Sequence, residues 1–200
     1  MKKNVISDNT KQLLANSLKI LVEIKPYSKI TISDIVKESG VYRKTFYYHF
    51  EDINSLFKWI LDHEAISSLR HYDFMNDYEK VISFVIEYVE ANAYLFNCIF
   101  DALGREKLKE FLSDDFLEIA LIFVKQLEED LEVTIDDQFR VFTAEFYKEA
   151  IIGMIINLFQ KKYSTSKEET LKNITTILTA SLEPVIEQRA EELKKNNSMF

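Results

Sequence analysis

The chain has 200 residues, 47% of them hydrophobic, with only three glycines and two prolines. That apolar content is ample for a core and excludes a disordered chain, and so few turn-forming residues exclude all-β and parallel α/β folds. The net charge of −8, taken over the whole chain, argues against a polyanionic partner.

The predicted elements are therefore long helices. Leu14, Leu18, Leu21 and Val22 share one face at helical spacing, which predicts a first helix over 8–24, ended by Lys25-Pro26-Tyr27. Thr31 and Asp34 have the spacing of a capping box, with Asp in the place usually held by Glu or Gln. Ile32, Ile35 and Val36 follow as the inward face, and Gly40 is placed to end the helix in the left-handed conformation. Val41 fills the turn. The next helix carries Arg43, Lys44, Thr45, Tyr47, Tyr48 and His49. Asp52 caps a fourth helix with Leu56, Phe57, Trp59, Ile60 and Leu61, expected to reach about Leu69. Beyond it, helices are predicted over 77–90, 93–103, 113–131, 136–162 and 167–195. Ser166 and Glu169 have capping-box spacing before the last of these, and Pro184 is expected to kink it near Leu182.

Residues 31–50 read as a helix-turn-helix whose second helix enters a DNA groove. At about 100° per residue, Phe46 and Phe50 fall together as the inward face. Lys44, Thr45, Tyr48 and His49 fall opposite, with Arg43 and Tyr47 at the border. Arginine pairs with guanine O6 and N7, and threonine offers a methyl to thymine. Tyrosine and histidine offer donors to phosphate oxygens. The start of the second helix, beside Thr31 and Ser33, suits another phosphate. Duller readings stay open: Tyr47 and Tyr48 also suit a core edge, His49 a helix end, and Arg43 and Lys44 plain surface charge.

The charge distribution favours DNA. Residues 1–50 hold nine Lys and Arg (Lys2, Lys3, Lys11, Lys19, Lys25, Lys29, Lys37, Arg43 and Lys44) against four acids (Asp8, Glu23, Asp34 and Glu38), whereas the remainder holds 16 basic and 29 acidic residues. A basic head on an acidic body fits double-stranded DNA bound at one end.

These residues resemble the TetR family of bacterial regulators from Leu14 through Leu61. The resemblance rests on Thr31-x-x-Asp34-Ile35, on Gly40-Val41 and on the Thr-Phe-Tyr-Tyr-His-Phe run from Thr45 to Phe50. It implies an all-α fold: an N-terminal three-helix helix-turn-helix DNA-binding domain (1–52), joined by a long helix to a larger helical ligand-binding and dimerisation domain (53–200). It also implies a homodimer acting as a ligand-responsive transcriptional regulator, here a repressor, on pseudo-palindromic operator DNA. Residues 146–163 resemble the family's penultimate helix, and Ser166 onward its last. In the family these pair with their copies as a four-helix bundle, which would make Ile152, Gly153, Ile155, Ile156 and Phe159 the dimer seam. The other reading of that helix is burial within one chain, since residues 150–159 are apolar on nearly all sides. Two residues depart from the family pattern. Tyr42 stands where a small polar residue is usual, and Ile53 replaces a lysine that touches phosphate. The Asp-Ile pair and Trp59 are similar to a subgroup that includes the activator of a dihydroxyacetone kinase operon. Members of that subgroup can respond to a protein partner in place of a small molecule, which makes a co-activator or protein-interaction module the alternative.

Candidate walls of an effector pocket are Tyr88, Tyr94, Phe96, Cys98, Phe100, Phe123, Phe142 and Tyr147. These equally suit core packing, and the abundance of aromatics points to a large apolar or aromatic effector. Cys98, the only cysteine, is either a redox sensor or a packed thiol. It allows no internal disulfide, the first residues lack the apolar run of a signal peptide, and residues 150–159 fall far short of the ~18–20 needed to span a membrane. The expectation is a cytoplasmic protein with no membrane partner. No phosphate loop, nucleophile elbow or zinc motif is present. His63 and His71 lie about two turns apart and do not converge, and Asp114-Asp115 and Asp136-Asp137 read as helix caps. No enzyme, metal or cofactor is expected.

Overall fold

A computed structural model describes residues 2–72, 74–162 and 165–197, and every regular element among them is helical. The order is α1 (Lys2–Ile24), α2 (Ile32–Ser39), α3 (Arg43–His49), α4 (Ile53–Leu61), α5 (Ser67–Leu69), α6 (Phe74–Ala91), α7 (Ala93–Leu103), α8 (Arg105–Asp130), α9 (Asp137–Phe159) and α10 (Lys167–Asn197). A short 3₁₀ turn, Tyr27–Lys29, precedes α2. A π-helical turn, Asp62–Ile66, joins α4 to α5, so the fourth helix does reach Leu69. The side chains of Lys2 and Lys3, and the whole of Tyr163, lie outside the described residues.

Packing divides the chain into two units. The first runs to Ser67 and adds Asn92–Phe111; the second comprises Ser68–Ala91 and Leu112 onward. In the first, α1 packs on α2, α4 and α7. Its core is Leu14, Leu18, Ile35, Phe46, Leu56, Phe57 and Ile60, all without exposed surface. Phe57 meets Phe96 of α7 edge-on at 6.2 Å and stacks on Phe111 at 5.3 Å. Phe96 is thus a core residue of the first unit and not a pocket wall.

In the second unit, α6 packs on α9 and α10. The pairs Arg189 over Phe139, at 5.1 Å, and Tyr147 Oη to Ser181 Oγ, at 2.8 Å, set α9 and α10 side by side and antiparallel. Glu128 is buried and clamps the loop before α9: it accepts from the Ile135 amide at 2.9 Å and from Arg140 Nε at 2.6 Å. Burial pushes the Glu128 carboxyl up, but these bonds outweigh it and hold the group below its ordinary value.

Several boundaries differ from expectation. α8 begins at Arg105, eight residues early, so Asp114 and Asp115 lie inside a helix and cap nothing. Asp136 does cap α9, accepting from the Phe139 amide at 3.0 Å. Ser166 Oγ accepts from the Glu169 amide at 3.2 Å before α10, and α10 continues through Pro184.

Candidate nucleic-acid interface

The turn between α2 and α3 is built from local signals. Thr31 Oγ1 accepts from the Asp34 amide at 3.2 Å, while Asp34 Oδ2 accepts from the Thr31 amide at 2.8 Å, which completes the capping box. Lys25 sits 2.5 Å from the same carboxylate. The lysine, then the Thr31 hydroxyl and amide, hold Asp34 well below the usual carboxylate range. Gly40 adopts φ 68°, the left-handed conformation that favours glycine and turns the chain into α3. Asp52 opens α4 with a second reciprocal box, its partner being Ser55. These devices fix where α2 and α4 begin and where α2 ends.

Seven residues make α3, too few for helix propensity to hold it. Phe46 anchors it, wholly buried, with Phe50 just beyond the helix 5% exposed. The opposite side is open: Arg43, Lys44, Tyr47 and Tyr48 are exposed, and Thr45 and His49 are half-buried. Tyr48 is 77% exposed and Tyr47 50%, so neither is a core residue. The ring of His49 lies against Tyr48 at 4.9 Å. Burial, then the nearby Lys11 charge, lowers the His49 pKa from its ordinary value, while Asp8 opposes the shift.

One expected phosphate contact has its proton committed, and a second is engaged only as an acceptor. The Thr31 hydroxyl donates to Asp34 Oδ2 at 2.6 Å, which makes Thr31 a cap whose proton is committed. Ser33 Oγ accepts from Arg43 Nη1 at 2.9 Å, and Arg43 Nη2 also donates to Tyr47 Oη at 3.2 Å. Nothing in sequence spacing points to the Ser33–Arg43 bond, which joins two helices. Of the other basic residues in the head, Lys19 pairs with Glu64 at 2.5 Å and Lys11 lies over the Trp59 ring at 5.8 Å.

The second unit contains an apolar cavity of about 110 Å³ walled by α6, α8, α9 and α10, with Leu69 of α5 also on its lining. Its lining includes Val81, Ile86, Ala120, Ile155 and Leu182. Only Tyr78 and Tyr147 bring a polar atom to the wall residues, and Tyr147 Oη is bonded to Ser181. Of the eight pocket candidates, Phe123 and Tyr147 line it; Tyr88, Tyr94, Phe96, Cys98, Phe100 and Phe142 do not. Tyr94 and Cys98 instead border a hollow of mixed polar and apolar lining, about 350 Å³, in the first unit. Burial raises the Cys98 thiol pKa, which favours the protonated thiol.

Comparison with known proteins adds to this geometry. Residues 20–60 match the model of bacterial regulatory proteins of the tetR family, and residues 76–180 match a transcriptional regulator C-terminal region of the same family. The chain belongs to the TetR family. A curated relative, the HTH-type dhaKLM operon transcriptional activator DhaS of Lactococcus lactis subsp. lactis (strain IL1403), is 25% identical over 100 residues. That match spans 50% of this chain and about half, 52%, of the relative's length. The solved structure of a dihydroxyacetone kinase operon activator DhaS superposes with a TM-score of 0.68 at 18% identity. It covers 87% of this chain and 96% of that one, a likeness of fold.

As a TetR-family transcription regulator, the protein is not an enzyme. Among the described residues no group of His, Cys, Asp and Glu is placed to hold a metal ion, and no helix is long and apolar enough to cross a membrane. The regulator's expected dimer seam needs correction. Ile152, Ile155, Ile156 and Phe159 are at most 4% exposed within the single chain, so their faces are already covered. Gly153 differs: a Cβ there would meet nothing within 4 Å, so no close approach inside the chain requires glycine. The large uncovered apolar residues of α9 are Val141, Phe142 and Phe146, with Phe142 67% exposed. On α10 they are Ile177 and Val185.

Proposed function

We propose that this protein is a homodimeric regulator that binds pseudo-palindromic double-stranded DNA and changes that binding when an effector occupies the second unit. Residues 1–52 would read DNA, and 53–200 would bind effector and dimerise. The carrying observation is α3: a short helix seated by Phe46, presenting Arg43, Lys44, Thr45, Tyr47, Tyr48 and His49 outward from a left-handed glycine turn. The side chains supply a guanidinium fork for a guanine, a methyl and hydroxyl for a thymine edge, and donors for phosphate. Ser33 adds a hydroxyl beside them, and Thr31 holds the start of α2 in place. A protein working on DNA by this route belongs in the cytoplasm.

Dimerisation would use Phe142, Phe146, Ala150 and Gly153 on α9, which recur at helical spacing on one stripe. Ile177, Ala180 and Val185 would be their counterparts on the adjacent α10. Large exposed apolar stripes of this kind are stabilised by being covered. The effector would be compact, apolar and uncharged, because the cavity wall holds no charged side chain to repay desolvation of a charge. Its volume argues against the large effector that aromatic content suggests. Occupancy would favour a conformation whose two recognition helices no longer match successive major grooves.

Selection of bound sequences from random duplex DNA, followed by a salt titration, tests the reading. The expected result is a two-fold repeat bound with an affinity that falls steeply with salt; a salt-independent affinity would contradict it. Repression by promoter occlusion is the simplest output. Activation is the second reading, favoured by the relative named as an operon activator, and control by a protein partner is the form that matches it. A reporter driven by the selected site separates the two by the sign of the change.

A further inference from the structure

Three candidate contact residues are joined to one another before any DNA arrives. Arg43 Nη1 donates to Ser33 Oγ at 2.9 Å and Nη2 donates to Tyr47 Oη at 3.2 Å. The guanidinium carbon lies 5.7 Å from the Tyr47 ring centre. The Tyr47 ring in turn meets buried Phe46 edge-on at 5.8 Å. The fork is therefore tied at two points: to the first turn of α2 through Ser33, and to the core through Tyr47 and Phe46.

Counting donors shows what this leaves available. A guanidinium has five N–H groups. Two are used here, and one remains on each terminal nitrogen as well as the one on Nε. That is enough for a two-bond pair with guanine O6 and N7. The two hydroxyls are acceptors toward Arg43, so each keeps its own proton to donate elsewhere. A phosphate oxygen is an acceptor only. The guanidinium thus sets the polarity of both hydroxyls in the sense that phosphates require.

Resting on the DNA-binding reading above, we propose that Ser33, Arg43 and Tyr47 act as one donor cluster. Arg43 reads a base in an orientation that Ser33 and Tyr47 fix, which makes the two hydroxyl residues positioning residues for sequence preference. An untethered arginine would lose side-chain freedom on binding any duplex, with no preferred direction. A tethered fork has already lost it, and in one direction.

The experiment uses the full chain, with the duplex selected by the wild type and a scrambled duplex of equal length. The readout is the ratio of the two affinities. Ser33→Ala and Tyr47→Phe each remove one hydroxyl from an exposed side chain, so folding is retained, as a thermal melt verifies. Each is expected to lower the ratio about 5- to 10-fold while leaving the salt slope on scrambled DNA unchanged. Arg43→Lys keeps the charge without the fork and should lower the ratio as far as Arg43→Ala does. In the Arg43→Ala background, adding Ser33→Ala should change the ratio less than twofold, the mark of a coupled pair. Nitrogen relaxation of the Arg43 Nε–H in the free protein gives a readout independent of DNA: ordered in the wild type and mobile in both hydroxyl variants. Unchanged ratios, or strictly additive losses, overturn the cluster and leave DNA binding intact. A wild type that binds no duplex overturns both.

Discussion

Helices α3 and α9 use their aromatic residues in opposite ways. On α3, Phe46 is buried while Tyr47 and Tyr48 face solvent with a hydroxyl at the tip. On α9, Phe159 is buried while Phe142 and Phe146 face solvent with no polar atom at all. An exposed tyrosine is well solvated and can exchange water for a phosphate oxygen. An exposed phenylalanine gains only when something apolar covers it. The first surface is suited to a charged, hydrated partner and the second to a dry one, although both are called aromatic by composition.

The largest expected effect comes from breaking the α9 side of this contrast. The double substitution Phe142→Glu, Phe146→Glu should yield a monomer by sedimentation velocity. Affinity for the selected two-fold site should fall by about 10²- to 10⁴-fold, since the second recognition helix is no longer tethered. A dimer that survives would move the seam elsewhere. Next comes the buried counterpart: Phe159→Ala should cost roughly 3–5 kcal/mol in urea unfolding. Tyr48→Ala, on the exposed face of α3, should stay within about 0.5 kcal/mol in stability while weakening DNA binding.

The loop clamp sharpens the comparison from a different side, because it places charge inside the second unit. Arg140→Ala leaves Glu128 buried without its partner and should cost about 3 kcal/mol. The folded-state pKa of Glu128 lies below its ordinary 4.5. Its contribution is therefore complete above pH 4.5 and is lost as pH falls through the lower folded value. Wild-type stability should drop over that acid range, and the variant should show a flatter profile there. On α3 the effects are smaller. Arg43→Ala should cost roughly 1–3 kcal/mol on the selected site and relax preference at one position. Lys44→Ala should weaken all sequences alike and reduce the salt slope by ~1.

How far the sequence could be read follows the same division. The capping pair Thr31 and Asp34, the left-handed Gly40 and the inward Phe46 and Phe50 all stand as spacing indicated. Each depends on residues three or four apart, which a helix brings together whatever surrounds it. The Arg43–Ser33 bond was hidden because ten residues and a turn separate its members. Phe142 read as a pocket wall and is a surface residue, since aromatic content says nothing about which side of a helix is covered. Asp114 and Asp115 read as a cap because acids often open helices, but α8 had already begun at Arg105.

The chain alone determined that this is a helical protein with a helix-turn-helix pattern near its amino end, because caps, turn glycine and apolar period are local quantities. Only the tertiary structure decided which face of α9 is closed. Residues 150–159 are apolar on nearly every side, so their period selects no face. The packing of α6 on α9, with α10 lying antiparallel beside it, buries Ile152, Ile155, Ile156 and Phe159 and leaves Phe142 and Phe146 outside. The cavity was decided in the same way, since an unfilled volume is a property of several helices together and of no segment by itself.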